Sequence, residues 1–246
     1  MLIHFVCKKI FIVFRVDIEM KKDKSKQEAK KAEYSILYKY EQKFRAFVIP
    51  KIPKFIETYH LTYLTGFFAI LLFFWAYTPV NKNLIPLTIS IFVLLQWATD
   101  LLDGGLGRYR NTGLVKWGFY ADHFLDFIFL VSIFFAYHFY LIRMADYNLL
   151  FLLLFVFSSV GLMISSHLYF GTTQKFFTSF KKIGTSEARA VLILFNIVLM
   201  FTGKNLFITI LPYLSVVSIF ALFFSFYKSQ RDLWKMDMAL KKREKN

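Results

Sequence analysis

Residues 97–126 read WATDLLDGGLGRYRNTGLVKWGFYADHFLD, and they set four aspartates, Asp100, Asp103, Asp122 and Asp126, inside otherwise apolar segments long enough to cross a membrane. A carboxylate near the centre of a bilayer costs about 2.5 to 3.5 kcal/mol, so four left unpaired cost on the order of 10 kcal/mol. Something cationic must offset that. Asp100 and Asp103 stand three residues apart and Asp122 and Asp126 four apart, so each pair lies on one face of its helix. The spacing predicts that the two pairs converge. The spans hold too few lysines, arginines or histidines to neutralise four charges, and hard oxygen ligands favour magnesium or manganese over zinc or copper. The expected site is a divalent-metal centre.

Around the acids, Gly104, Gly107 and Gly118 leave the backbone open to close approach. Arg108 is planar, always charged and able to donate two bonds at once. Helix–helix packing is the other account of the glycines.

The run Asp100-x2-Asp103-Gly104-x2-Gly107-Arg108, followed by Gly118-x3-Asp122-x3-Asp126, resembles the signature of the CDP-alcohol phosphotransferases (CDP-alcohol phosphatidyltransferases), integral membrane enzymes of phospholipid synthesis. Their usual form is DxxDGxxAR, eight residues, then GxxxDxxxD. Here Gly107 replaces the alanine, keeping a small residue, and nine residues separate Arg108 from Gly118, a one-residue loop insertion. No carboxylate is lost. The resemblance implies that a substituted phosphate passes from a CDP-linked alcohol to an acceptor hydroxyl with release of CMP, in one step. It implies that Asp100, Asp103 and Asp122 hold Mg2+ or Mn2+, two ions in all. Asp126, it implies, is the general base and also touches a metal. Gly104, Gly107, Arg108 and Gly118 would bind the substrate, and the chain would form a homodimer.

Composition agrees with a membrane protein. Of 246 residues, 57% are hydrophobic and 32 are phenylalanine, which leaves no room for a separate soluble domain. The formal charge of +15 does not point to nucleic acid, because the basic residues lie between and beyond the apolar spans and not on an aromatic-bearing globular face. Cys7 is the only cysteine, so no disulfide or cysteine metal cluster forms within the chain.

The expected fold is all-α and integral to the membrane: six transmembrane helices preceded by an amphipathic interfacial helix. Residues 1–57 form a basic N-terminal segment, 58–227 the membrane domain and 228–246 a basic tail. Residues 2–16 are apolar but broken by Lys8, Lys9 and Arg15, too short in any run to span. Residues 1–19 read as an interfacial segment or as an upstream extension absent from the mature protein. From Tyr34 to Val48, Leu37, Tyr40, Phe44, Phe47 and Val48 recur at helical spacing, the pattern of a helix lying on a membrane, and Pro50 and Pro53 end it. TYHLTYLTG (58–66) reads as a plain entrance to the first span and is loosely similar to the family's Pro-Asn-x-Ile-Thr. The spans are expected at about 62–79, 84–103, 117–142, 147–169, 188–203 and 206–227. With both termini cytoplasmic, twenty-eight Lys and Arg residues fall on the inside and only Lys82, Arg143 and Lys204 outside, which fixes the expected orientation. That puts the aspartates and the active site on the cytoplasmic side.

Further features are less specific at this level. Gly184-Thr185-Ser186-Glu187-Ala188-Arg189 is similar to a Gly-x-x-Glu-x-Arg segment of the family's choline and ethanolamine branch, and reads equally as a helix N-terminus with Thr185 or Ser186 as cap. His123 beside Asp122 gives DHxxD, similar to the DHGxD of that branch with Phe124 in place of glycine. On a helix it points about 100° away from Asp122, which makes it a neighbour of the site and not a ligand. His138 and His167 read as interior or interfacial, and Arg110 and Lys116 as loop charges or ligands of a phosphorylated acceptor. The basic tail after Tyr227 reads as a helix lying on the membrane surface. Two other functions are compatible with the acids: a non-enzymatic membrane protein that binds or conducts cations, and a family member that keeps the metal site without turnover.

Overall fold

The computed structural model describes residues 37–78, 82–112, 114–142, 144–173 and 185–244. The expectations for residues 1–19 and for Gly184 lie outside these. Among the described residues the chain is helical with no strand: α1 (Tyr38–Val48), α2 (Thr58–Tyr77), α3 (Ile85–Arg110), α4 (Val115–Leu141), α5 (Leu149–Thr173), α6 (Thr185–Thr202) and α7 (Lys204–Glu244). Helices α2 to α7 are each long and apolar enough to cross a bilayer, and the short α1 precedes them. In hydrocarbon a backbone group has no water to bond, so a span satisfies its amides internally as a helix.

Hydropathy locates these spans but not where the helices stop. α3 runs past the expected limit at residue 103 to Arg110, ending on Asn111 in the left-handed conformation (φ 56°). The motif from Asp100 to Arg108 therefore lies on unbroken helix. α7 is longer still. Its 41 residues span about 60 Å, twice the hydrocarbon thickness, so the basic tail is the projecting continuation of the last span and not a separate surface-lying helix.

The helices divide the bundle into a packed half and an open half. Ala69, Leu72 and Ala76 of α2, Ile85, Ile89 and Val93 of α3, and Phe129, Ile133, Ala136 and Leu141 of α4 form one buried cluster, closed by Leu152, Leu199, Phe207 and Leu211. All the α3 members precede Gln96 and all the α4 members follow Asp126, so the aspartates occupy the other half. α4 reaches α2 closely because Gly66 makes room: a Cβ there would stand 3.0 Å from Leu125. That contact sets the turn from Asp122 to Asp126 beside α2. Outward-facing Phe157, Leu168, Phe201 and Phe220 remain exposed, as expected of surfaces that meet lipid.

The N-terminal helix is tied to the open half. Glu41 of α1 accepts a hydrogen bond from Trp97 Nε1 at 3.2 Å, and Ile49, just past α1, is buried against α3. Tyr40, Phe44 and Phe47 stay exposed. The segment after α1 is held by Arg110, whose guanidinium donates to the carbonyls of Ile56 at 2.6 Å, Ile52 at 2.7 Å and Pro53 at 3.0 Å. Arg110 is thus a backbone clamp, a role that neither loop charge nor acceptor binding describes.

Candidate active site

All four aspartates are partly buried, and the charges of Asp100, Asp103 and Asp126 all reach Asp122. They do not form a closed cage: among the described residues no three His, Cys, Asp or Glu side chains meet around a common point. Each of three aspartates is instead held by a partner from another helix. Thr62 Oγ1 of α2 donates to Asp103 Oδ2, Gln96 Nε2 of α3 donates to Asp126 Oδ1 of α4 at 2.7 Å, and Arg189 Nη1 of α6 donates to Asp100 Oδ2 at 2.7 Å.

Thr185 begins α6, and Arg189, in its first turns, also enters the site, where Asp126 and Asp122 feel its charge as well as Asp100. One cation therefore offsets part of the cost of burying four acids. The remaining charge is what a divalent ion would meet. Four carboxylates from two adjacent helices are a hard-oxygen donor set of the kind that magnesium and manganese take, and Thr62, Gln96 and Arg189 each bond one oxygen of their carboxylate. The donor chemistry fits such an ion.

Thr62 and Gln96 were not among the sequence candidates. Gln96 stands alone in an apolar run and Thr62 among the polar residues of the 58–66 stretch; each has a relative exposure of 2%, and its partner lies on another helix. A buried amide or hydroxyl needs a partner, which was the available signal. Thr62 belongs to the 58–66 stretch, and so does His60, whose Nδ1 accepts the Glu57 backbone N–H at 2.9 Å and helps cap α2. That stretch starts the span and also braces Asp103.

The other sequence candidates distribute around this cluster. Gly104 is exposed, and a Cβ on it would meet only the Arg108 guanidinium, at 3.5 Å. Gly107 is buried. Gly118, in the first turn of α4, has open space around its missing Cβ, so the spacer that carries the extra residue leaves its backbone accessible. Arg108 is exposed at the same end. His123 Nδ1 meets the Phe119 carbonyl at 2.8 Å and stands 3.6 Å from Asp122 Oδ2. Its ring lies edge-on to that of His167, 4.5 Å between centroids, so His167 is packed on a neighbour of the site. His138, by contrast, lies far along α4 and bonds the Tyr147 hydroxyl at 2.9 Å.

A family model described as CDP-alcohol phosphatidyltransferase matches residues 58–233. No curated protein matches the chain. The matched region starts at the first residue of α2, takes in all six membrane-length helices except the distal end of α7, and contains the four aspartates together with Thr62, Gln96 and Arg189. It covers well over half of the 246 residues, and the chain belongs to the CDP-alcohol phosphatidyltransferase family, membrane transferases of phospholipid synthesis that move a phosphate-containing group from a CDP-alcohol.

Proposed function

We propose that this protein transfers a substituted phosphate from a CDP-alcohol to an acceptor hydroxyl and releases CMP, with the chemistry at Asp100, Asp103, Asp122 and Asp126. The observation that carries the reading is the gathering of these four carboxylates from α3 and α4 at one end of the bundle, braced from α2 and α6. Asp100, Asp103 and Asp122 would hold two Mg2+ or Mn2+ ions, with Asp126 as a further ligand. When bound, such ions neutralise the donor diphosphate and stabilise the charge that develops on the leaving phosphate.

The protein's own groups do the rest. Asp126 takes the proton of the acceptor hydroxyl on its free oxygen while the Gln96 amide holds the other. The new acceptor O–P bond forms as the phosphoanhydride bond breaks, and CMP leaves with the electron pair. Gly104, Gly107 and Gly118 let backbone approach the cytidine diphosphate and Arg108 pairs with it. The acceptor and donor enter from the cytoplasmic side, where both termini lie, and the working unit is a homodimer. Engagement of Arg189, the arginine of the Gly-x-x-Glu-x-Arg segment, supports CDP-choline or CDP-ethanolamine as donor with a diacylglycerol acceptor. The test is CMP release by purified protein with magnesium or manganese, offering these donors and CDP-diacylglycerol separately with a panel of alcohols. Metal-dependent release with one donor is expected. Release with no donor and acceptor pair overturns the reading.

A further inference from the structure

A second pocket, of about 400 Å³, lies between α1 and the last turns of α3. Its polar lining is Gln42 and Arg45 from α1 with Arg108 and Tyr109 from α3, Ile49 and Pro50 also line it, and no acid among the described residues does. Arg45 Nε is buried without a hydrogen-bond partner among the described residues. An unsatisfied buried donor is rare in a folded protein and calls for a ligand, water or ion. Here the donor belongs to a permanent cation, and a second arginine, Arg108, also lines the pocket. Along α3, Gly105 and Tyr109 point more than about 100° away from both Asp100 and Asp103, and Arg108, about 80° from Asp100, sits between the two faces. The pocket therefore lies on a different side of α3 from the aspartates.

We propose that this pocket binds a phosphate ester. Two guanidiniums, an amide and a phenol hydroxyl match the charge and the several acceptor oxygens of such a group, and a volume of this size suits a small headgroup and not a whole lipid. The same chemistry is carried by the headgroup of an anionic phospholipid in the adjoining leaflet and by a soluble phosphate ester. Because α1 carries half of the wall, occupancy also fastens α1 to α3.

The test uses the full-length protein in detergent and reads ligand binding by thermal shift and native mass spectrometry. The probes are dioctanoyl phosphatidate, dioctanoyl phosphatidylcholine, glycerol 3-phosphate and inorganic phosphate. A phosphate monoester is expected to bind, and Arg45→Gln to weaken it at least tenfold. Ala46→Trp keeps both guanidiniums but fills the pocket from α1 and is expected to do the same, which covers failure of the first variant to fold. Asp126→Asn is expected to bind as the wild type does, so the result stands apart from the fate of the proposed reaction. Preference for phosphatidate names the lipid as source, and equal binding of glycerol 3-phosphate names the soluble ester. No binding of any phosphate probe, or undiminished binding by both pocket variants, overturns the proposal.

Discussion

The Gln96 side-chain amide, on α3, donates to Asp126, on α4, at 2.7 Å, and this bond joins the two helices that carry the four carboxylates. A carboxylate only accepts, so the amide nitrogen must face Asp126. Gln96 lies one turn from Asp100 and is almost wholly buried, with 2% relative exposure. It fixes which oxygen of Asp126 is free. Replacing it with leucine leaves Asp126 without that restraint in an apolar setting. Turnover is expected to fall about tenfold to a hundredfold, the range for groups that orient a reacting or ligating side chain, with the Michaelis constant for the donor little changed. Initial rates of CMP release check this, and an unchanged kcat would remove Gln96 from the account.

Thr62 gives a sharper comparison, because serine and valine separate the hydroxyl from the methyl. Thr62→Ser keeps the bond to Asp103 and is expected to bind Mn2+ as the wild type does. Thr62→Val keeps the shape and loses the bond, and its Mn2+ affinity is expected to drop about tenfold. Electron paramagnetic resonance of free Mn2+ measures both. Equal affinities would mean that Asp103 needs no orientation.

Arg189 and Asp100 are an ion pair at 2.7 Å, with side-chain exposures of 16% and 29%. Removing one partner of a fully buried pair costs about 3 to 5 kcal/mol, and partial exposure lowers that here to about 1 to 3 kcal/mol. Arg189→Gln is therefore expected to melt lower than the wild type when metal is chelated, and saturating Mn2+ is expected to recover part of the loss by binding the uncompensated carboxylate. Melting curves with chelator and with Mn2+ test this. A variant as stable as the wild type in chelator contradicts it.

The docking of α1 rests on the absence of a side chain at Gly105. A Cβ there would stand 2.5 Å from Ile49 Cδ1, too close for any real contact, so Ile49 must move. Because the clashing atom is the free end of the Ile49 side chain, Gly105→Ala is expected to cost about 0.5 to 1.5 kcal/mol, the cost of turning that side chain off its rotamer. Ile49→Val shortens the clashing branch, and the double variant is expected to recover most of the loss, a coupling that a two-residue cycle measures. Additive losses would show that the two positions do not meet.

Much of this was legible in the chain. The six spans follow from apolar length, and the carboxylate pairs follow from spacings of three and four, because both are local properties of a helix. The helix ends were less legible: hydropathy marks the part immersed in lipid, whereas α3 and α7 continue beyond it for several turns. Least visible were the restraints on the acids. Thr62, Gln96 and Arg189 lie 41, 30 and 89 residues from their partners, and no periodicity within one helix reveals a bond to another. The clamp made by Arg110 is hidden for the same reason, since its four carbonyl partners, on Ile52, Pro53, Lys54 and Ile56, follow α1, more than fifty residues earlier.

The central claim is that the carboxylate cluster carries out phosphate transfer with Asp126 as base. Its most direct test is CMP release by purified Asp126→Asn and wild-type protein, at saturating Mg2+ or Mn2+ and with the preferred donor and acceptor. The substitution removes the basic oxygen and keeps the shape, so the account predicts a fall in kcat of at least about a hundredfold with the donor still bound. A variant that releases CMP at the wild-type rate would contradict it.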